Sequence, residues 1–243
     1  MAGYERPDYW TVRAKKEGYP ARSVYKLEEI VRKFGLLKGF GERGPGGRAA
    51  EESSSRAPIG ASRNLAGALA NTAPGDESSE HASPSGPAIL DVGAAPGSWS
   101  LWLLRQLKGS GRLVAVDLQD LGIAPSDSNF SFLKGNILDE PVRARLRERG
   151  PYNLVVSDAA PATTGSRLVD QARSEELVEA VMQLALEVLA PGGALVMKIF
   201  QGGEERRLIS ELRRHFAQAR AFKPEACRAE SFETYLVAKG FRD

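Results

Sequence analysis

The chain has 243 residues, of which 42% are apolar or aromatic and 26% charged. That is enough to bury a substantial core and too polar for a membrane span. A net charge of +2 excludes a histone-like polycation, so nucleic-acid binding would have to rest on local basic surface. The single cysteine, Cys227, cannot form an internal disulfide, and the opening MAGYERPDYW lacks the apolar run of a signal peptide, which points to a reducing cytoplasm.

Residues 1–40 carry nine basic and five acidic side chains and read as an N-terminal helical arm. The arm interleaves Arg6, Arg13, Lys15, Lys16 and Arg22 with Tyr9, Trp10, Tyr19 and Tyr25. Cations for phosphates beside rings for unpaired bases make an RNA-binding mixture, the plainer reading being an amphipathic helix with a solvated charged face. Residues 41–87 differ sharply: 30 of these 47 positions are Gly, Pro, Ser or Ala, and none is aromatic. Such a stretch cannot offset its ordering entropy, so it reads as a low-complexity, disordered insertion with at most a helical turn near Ala66–Ala70. It carries four arginines against six acids and is not a basic RNA tail. Without it 196 residues remain, which suits one domain with its core in 88–243.

Beyond residue 87, short apolar runs alternate with amphipathic stretches. Strands are predicted over 88–93, 112–117, 130–135, 152–158 and 194–200, and helices over 99–107, 141–149, 175–189 and 204–216. Pro191-Gly192-Gly193 is read as a break before the fifth strand. The runs 219–223 and 234–240 leave no room for a crossover helix and predict a closing antiparallel hairpin. The pattern is that of an α/β protein with a Rossmann-like, doubly wound, mainly parallel sheet, whose ligands sit beyond the carboxyl ends of the strands.

The first of these strands ends in Asp91-Val92-Gly93-Ala94-Ala95-Pro96-Gly97-Ser98-Trp99, a small-residue turn that opens a helix. Gly93 and Gly97 let backbone approach a ligand closely, and the helix start offers free N–H donors to an anionic group. A tight strand-to-helix turn is the plainer alternative. Two acids favour a cofactor: Asp117 ends the second strand, where a carboxylate accepts both ribose hydroxyls, and Asp158 ends the fourth. The GxGxxG spacing of dinucleotide folds is absent, which argues against a nicotinamide cofactor and towards S-adenosylmethionine, a group with no pyrophosphate to cradle.

Four charged residues occupy places that structure alone would not choose: Lys26 in ARSVYKLEEI, Asp158 in VVSDAAP, Lys198 in ALVMKIFQGG and Glu233 in AESFETYLVAKG. A lysine in an apolar strand is costly unless it is paired or faces a cleft at the strand's end, although it can also snorkel from an edge. Asp158 can serve as a turn or helix cap, and Lys26 and Glu233 taken singly read as solvated residues. The set as a whole carries the signal.

These segments, with LDVGAAPGSWS and the S-x-E-x-Y run Ser231–Tyr235 in the same order, resemble the FtsJ/RrmJ (RlmE) family of RNA ribose 2′-O-methyltransferases. The resemblance covers nearly all of the chain outside 41–87. It implies a class I methyltransferase fold, S-adenosyl-L-methionine as cofactor, and a Lys–Asp–Lys–Glu tetrad on Lys26, Asp158, Lys198 and Glu233. It places cofactor contacts on Gly97, Trp99, Asp117 and Asp158, beside the Gly93 of the turn. The family's aspartate after the third strand is replaced here by Asn136, whose amide oxygen still accepts a hydrogen bond without charge assistance.

The implied reaction is methylation of a ribose 2′-hydroxyl, with Lys198 either removing the hydroxyl proton or only orienting the hydroxyl for in-line attack. The implied partner is RNA, a uridine of large-subunit (23S) ribosomal RNA in a nearly assembled particle, contacted by Arg13, Lys15, Lys16 and Arg22. Alternatives are a tRNA or mRNA enzyme, an inactive RNA-binding ribosome-assembly factor, and a small-molecule or protein methyltransferase of the same fold. Two histidines and one cysteine give no metal site.

Overall fold

The computed structural model describes residues 7–38, 40, 86–161, 167–200, 204–228 and 231–242. The segment read as an insertion lies outside the described residues except for Gly86 and Pro87.

Helix α1 (Tyr9–Lys16) starts at Asp8, whose carboxylate accepts from the Thr11 amide and hydroxyl, both at 2.8 Å. Helix α2 (Val24–Phe34) buries Val24, Leu27, Ile30, Val31 and Phe34, one helical face, and stops at Gly35. Gly35 takes φ +62°, and the following Leu36 amide bonds back to the Val31 carbonyl.

Then come β1 (Ala88–Val92), α3 (Ser98–Leu107), β2 (Arg112–Asp117), β3 (Phe130–Lys134), α4 (Glu140–Glu148) and β4 (Tyr152–Ser157). They are followed by α5 (Arg167–Val188), β5 (Leu189–Phe200), α6 (Glu205–His215), β6 (Phe216–Phe222) and β7 (Glu233–Phe241). The seven strands form one sheet in the order β3-β2-β1-β4-β5-β7-β6. The first five are parallel, and β7 and β6 run antiparallel as the expected closing pair.

Three boundaries differ from the sequence expectation, the first being β6, which begins at Phe216, a residue expected in the preceding helix, and not at Ala219. Helix α5 begins at Arg167 rather than near Glu175. Pro191-Gly192-Gly193 does not precede β5 but lies within it, where the pairing jumps from Tyr152↔Leu189 to Leu154↔Ala194. The extra residues are accommodated as a bulge, with Gly192 at φ +81° and Pro191 free of any need to donate to the ladder.

The two faces of the sheet carry separate cores. Helices α4, α5 and α6 cover one through Leu146, Leu184 and Leu212. Helices α1, α2 and α3 cover the other, where Ala14, Leu27, Ile30 and Leu103 meet Ile89, Leu113, Val156, Val196, Tyr235 and Val237. Side chains alternate along a strand, so residues two or four positions from these core residues share their face. Asp91, Asp117, Asp158, Lys198 and Glu233 all satisfy that spacing and gather on the α1–α3 face. No helix among the described residues is long and apolar enough to cross a membrane.

Candidate active site

The turn after β1 is pinned to β2, with the Gly93 and Ala94 amides donating to the Val116 carbonyl at 2.9 and 3.2 Å. A Cβ on Gly93 would lie 2.6 Å from the Ala159 Cα, and one on Gly97, at φ +109°, would strike the Ile123 side chain. Both glycines are therefore required by close approach as well as by backbone conformation. Asp117 holds the turn from the side, its Oδ2 accepting from the Ala95 amide at 2.9 Å and its Oδ1 from the Gln119 amide at 2.8 Å. Leu118 beside it is largely exposed. The Asn136 amide oxygen accepts from the Leu138 amide at 3.0 Å, and Leu138 too is exposed. Trp99 is buried in the core, and its indole N–H donates to the Ser23 carbonyl at 2.9 Å, tying α3 to the start of α2.

Beneath this turn lies a carboxylate that the sequence reading did not single out. Asp91 is fully buried; its Oδ2 accepts from the Ser100 hydroxyl at 2.6 Å, and its Oδ1 has no partner among the described residues. Burial pushes its carboxyl up to about 7, against the Ser100 hydrogen bond and with help from the charges of Asp158 and Asp117. An orphaned buried acceptor, a glycine cradle, a ribose-sized carboxylate position and exposed leucines together suit an amino acid joined to a nucleoside, which is the chemistry of S-adenosylmethionine.

The four charged residues meet at the carboxyl ends of β4 and β5. Antiparallel pairing sets Lys198 opposite Tyr235 and Phe200 opposite Glu233, while the Ser157↔Met197 pairing brings Asp158 alongside Lys198. Lys198 Nζ lies 3.2 Å from Asp158 Oδ1 and also donates to the Asp158 main-chain carbonyl. Lys26, from the first turn of α2, stands 2.7 Å from Glu233 Oε1. All four side chains are largely buried.

Burial alone would raise the Glu233 carboxyl. The hydrogen bond and charge of Lys26, with smaller help from Cys227 and Lys198, hold it below the usual carboxylate range. Burial pushes the Cys227 thiol up to about 12, reinforced by the Glu233 charge. Tyr235, fully buried, donates its hydroxyl to Asp158 Oδ1 at 2.8 Å. It was named in the sequence only as part of the S-x-E-x-Y run; an aromatic two residues from an acid in a strand shares its face, and that spacing was the available signal.

The arm is more deeply engaged than its composition suggests. Tyr25 is buried, Trp10 packs on it with ring centroids 5.1 Å apart, and Arg105 covers Tyr19 at 4.4 Å, so of the four aromatics only Tyr9 is exposed. Arg13 lies 4.3 Å over the Tyr25 ring and pairs with Glu17 at 2.7 Å. Arg22 pairs with Asp8 and donates to the Ala226 carbonyl, stapling the arm to the β6–β7 connection. Two of the four cations assigned to RNA are thus held by the protein itself, because the rings between them supply core to α2. Lys15 and Lys16 are exposed on α1.

The sequence pattern of the FtsJ-like methyltransferases matches residues 75–241. A protein of Treponema denticola named ribosomal RNA large subunit methyltransferase E is 41% identical over 239 residues, covering 98% of this chain and 97% of the relative. A protein of the same name from Nitratidesulfovibrio vulgaris is 35% identical over 237 residues, covering 97% and 93%. Among solved structures, a Plasmodium falciparum protein assigned as a ribosomal RNA methyltransferase superposes with a TM-score of 0.64 at 22% identity, covering 92% of this chain and 98% of that one, and so shares its fold. The glycine turn, the class I strand order and the extent of these matches together make the chain a member of the FtsJ-like methyltransferase family, whose methyl donor is S-adenosylmethionine.

Proposed function

We propose that the protein methylates a ribose 2′-hydroxyl in large-subunit ribosomal RNA, a uridine of the 23S molecule in a nearly assembled particle, and that it works in the cytoplasm. The observation that carries this reading is the meeting of two lysine–carboxylate pairs, Lys26–Glu233 and Lys198–Asp158, beside the glycine turn. The names of the relatives support the choice of RNA. Gly93, Gly97, Asp117, Asn136 and Asp158 would hold the cofactor, with the buried Trp99 fixing the helix behind them. Lys15 and Lys16 are the arm's exposed phosphate contacts.

S-adenosylmethionine supplies, when bound, a methyl group on a positively charged sulfur. The protein must then present a hydroxyl oxygen in line with that methyl and exclude competing water. Lys198 donates to the Asp158 main-chain carbonyl and pairs with its Oδ1, which fixes the Nζ and directs it towards the acceptor hydroxyl as an orienting group; the hydroxyl proton leaves to solvent as the S–CH3 bond breaks and the O–CH3 bond forms. Lys26 and Glu233 form the opposite wall, one cation and one anion that fix the polar surroundings of the ribose. The test is transfer of labelled methyl to purified large subunits, free ribosomal RNA and tRNA in parallel, with mapping of the modified nucleotide. Label confined to a 2′-oxygen of large-subunit RNA is the expected result, and label on tRNA alone or on no RNA would overturn the reading.

A further inference from the structure

Seven large hydrophobic side chains stand exposed among the described residues: Tyr9, Val12, Leu118, Leu138, Val169, Phe200 and Phe232. Four of them adjoin residues of the site along the chain or across the sheet, and they divide by chemistry. Leu118 and Leu138 adjoin Asp117 and Asn136 on the cofactor half. Phe200 and Phe232 adjoin the tetrad, on the half where the methyl acceptor must lie.

Phe200 is the last residue of β5, two positions beyond Lys198 on the same face, and its pairing partner across β7 is Glu233. Phe232 immediately precedes Glu233. They are 46% and 71% exposed, and neither ring packs on another aromatic ring among the described residues. Phe34 and Phe222, or Phe216 and Phe241, show the contrasting case of phenylalanines paired in or against the core. Leaving two phenylalanines in water forfeits burial free energy that the fold otherwise collects, and it does so beside the reacting groups.

We infer that Phe200 and Phe232 form the surface on which the base of the acceptor nucleotide stacks. The inference rests on the RNA reading above and adds to it a subsite for the base. The base hangs from the sugar carbon adjacent to the one bearing the reacting hydroxyl, so a ribose held by Lys198 places its base beside these rings. A nucleotide delivered to a recessed site must leave its own stack, and a protein ring replaces the stacking it loses. The lysines and carboxylates of the tetrad offer no such face. An aromatic surface is also tolerant of base identity, so it would hold the nucleotide without selecting it, leaving selection to the particle.

The test uses the full-length protein and large subunits lacking the modification. The double variant Phe200→Leu/Phe232→Leu is expected to raise the KM for large subunits about tenfold, the loss of one base stack, while cofactor affinity by calorimetry stays at the parental value. The double variant Phe200→Tyr/Phe232→Tyr is expected to stay within about twofold of the parent, because the stacking faces are kept. An unchanged KM in the leucine variant would overturn the inference. So would an equal loss in both variants, which would indicate packing by shape, or an unchanged leucine variant beside a weakened alanine one, which would indicate an apolar contact with a protein. A parent that modifies no RNA at all would instead remove the reading on which the inference rests.

Discussion

Lys198 and Tyr235 face each other across the β5–β7 pairing and converge on one atom, Oδ1 of Asp158. With the Tyr235 hydroxyl bonded to that oxygen and Lys198 paired with it, the carboxylate is held from one side, and among the described residues Oδ2 has no partner. Tyr235→Phe removes one hydrogen bond to a charged acceptor and is expected to lower kcat by about tenfold with little effect on melting temperature. Lys198→Ala should abolish turnover while leaving cofactor binding near the parental value, and Asp158→Ala should damage both. Single-turnover rates measured beside calorimetric titration separate these roles, and an active Lys198→Ala enzyme would refute the mechanism.

The Lys26–Glu233 pair makes a pH prediction. Because the Glu233 carboxyl is held below its ordinary value, its contribution to stability and to the site is present above pH 4.5 and is lost as pH falls through the lowered folded value. The rate should therefore show no limb from Glu233 between pH 5 and 7. In Lys26→Met the chief lowering influence is gone while burial remains, so an acidic limb should move upward into the measurable range. A pH–rate profile of the two proteins in which the limbs coincide would show that the pair is not coupled as described.

Asp91 predicts the opposite sign. Its folded carboxyl sits near 7, above its ordinary 3.8, so the folded state binds the proton more tightly and stability falls as pH rises between those values. Asp91→Asn should be no more stable than the parent near pH 4. It should gain on the parent steadily to pH 7, by at most about 4 kcal/mol. Urea denaturation from pH 4 to 8 checks this, and a constant difference across the range would mean that Asp91 is not the titrating group.

On the cofactor side, Asp117→Ala should weaken S-adenosylmethionine binding more than Asn136→Ala. The carboxylate loses charge-assisted hydrogen bonds worth about 1.5–3 kcal/mol each, the amide one neutral bond of about 0.5–1.5 kcal/mol. Asp117 also holds the Ala95 and Gln119 amides, so part of its loss is loop order; Asp117→Asn, which keeps one acceptor oxygen, should fall between. Calorimetric affinities in any other order would misplace the nucleoside.

The arm separates into residues that bind outward and residues that bind inward. Lys15→Ala/Lys16→Ala should flatten the salt dependence of RNA binding by up to about two units of slope without changing the melting temperature. Arg22→Ala should lower the melting temperature by a few degrees, since it frees Asp8 and the Ala226 carbonyl at once. If the lysine variant keeps the parental slope, RNA approaches by another surface.

Strand positions were legible because runs such as AILDV and RLVAVD are buried on both faces, and helices because α2 and α6 repeat their apolar residues at helical spacing. Lys198 stood out because a lysine in ALVMKIF violates the strand's own pattern, whereas Lys26, Asp158 and Glu233 stood out only as a set and through the family resemblance. Asp91 breaks the pattern of AILDV in the same way, but its place before a glycine turn made it read as part of the loop. The partners of Arg13 and Arg22 and the burial of Tyr25 were not legible. They depend on how the arm meets residues far along the chain, and side-chain spacing within a segment carries no record of that. Pro191-Gly192-Gly193 misled for a related reason: a bulge is set by the neighbouring strand as much as by its own residues.

Lys26 belongs to the second helix of the chain and Glu233 opens the seventh strand, so one half of the tetrad joins residues separated by almost the whole sequence. Asp158, too, waits for Tyr235 of that same strand. During synthesis the glycine turn and β1–β4 are complete long before β7 has been made. The proposed cofactor residues thus precede in the chain the strand that carries Glu233 and Tyr235 of the proposed hydroxyl site. On the proposed mechanism the tetrad is complete only once β7 is in place, and a chain interrupted before that strand lacks both Glu233 and Tyr235.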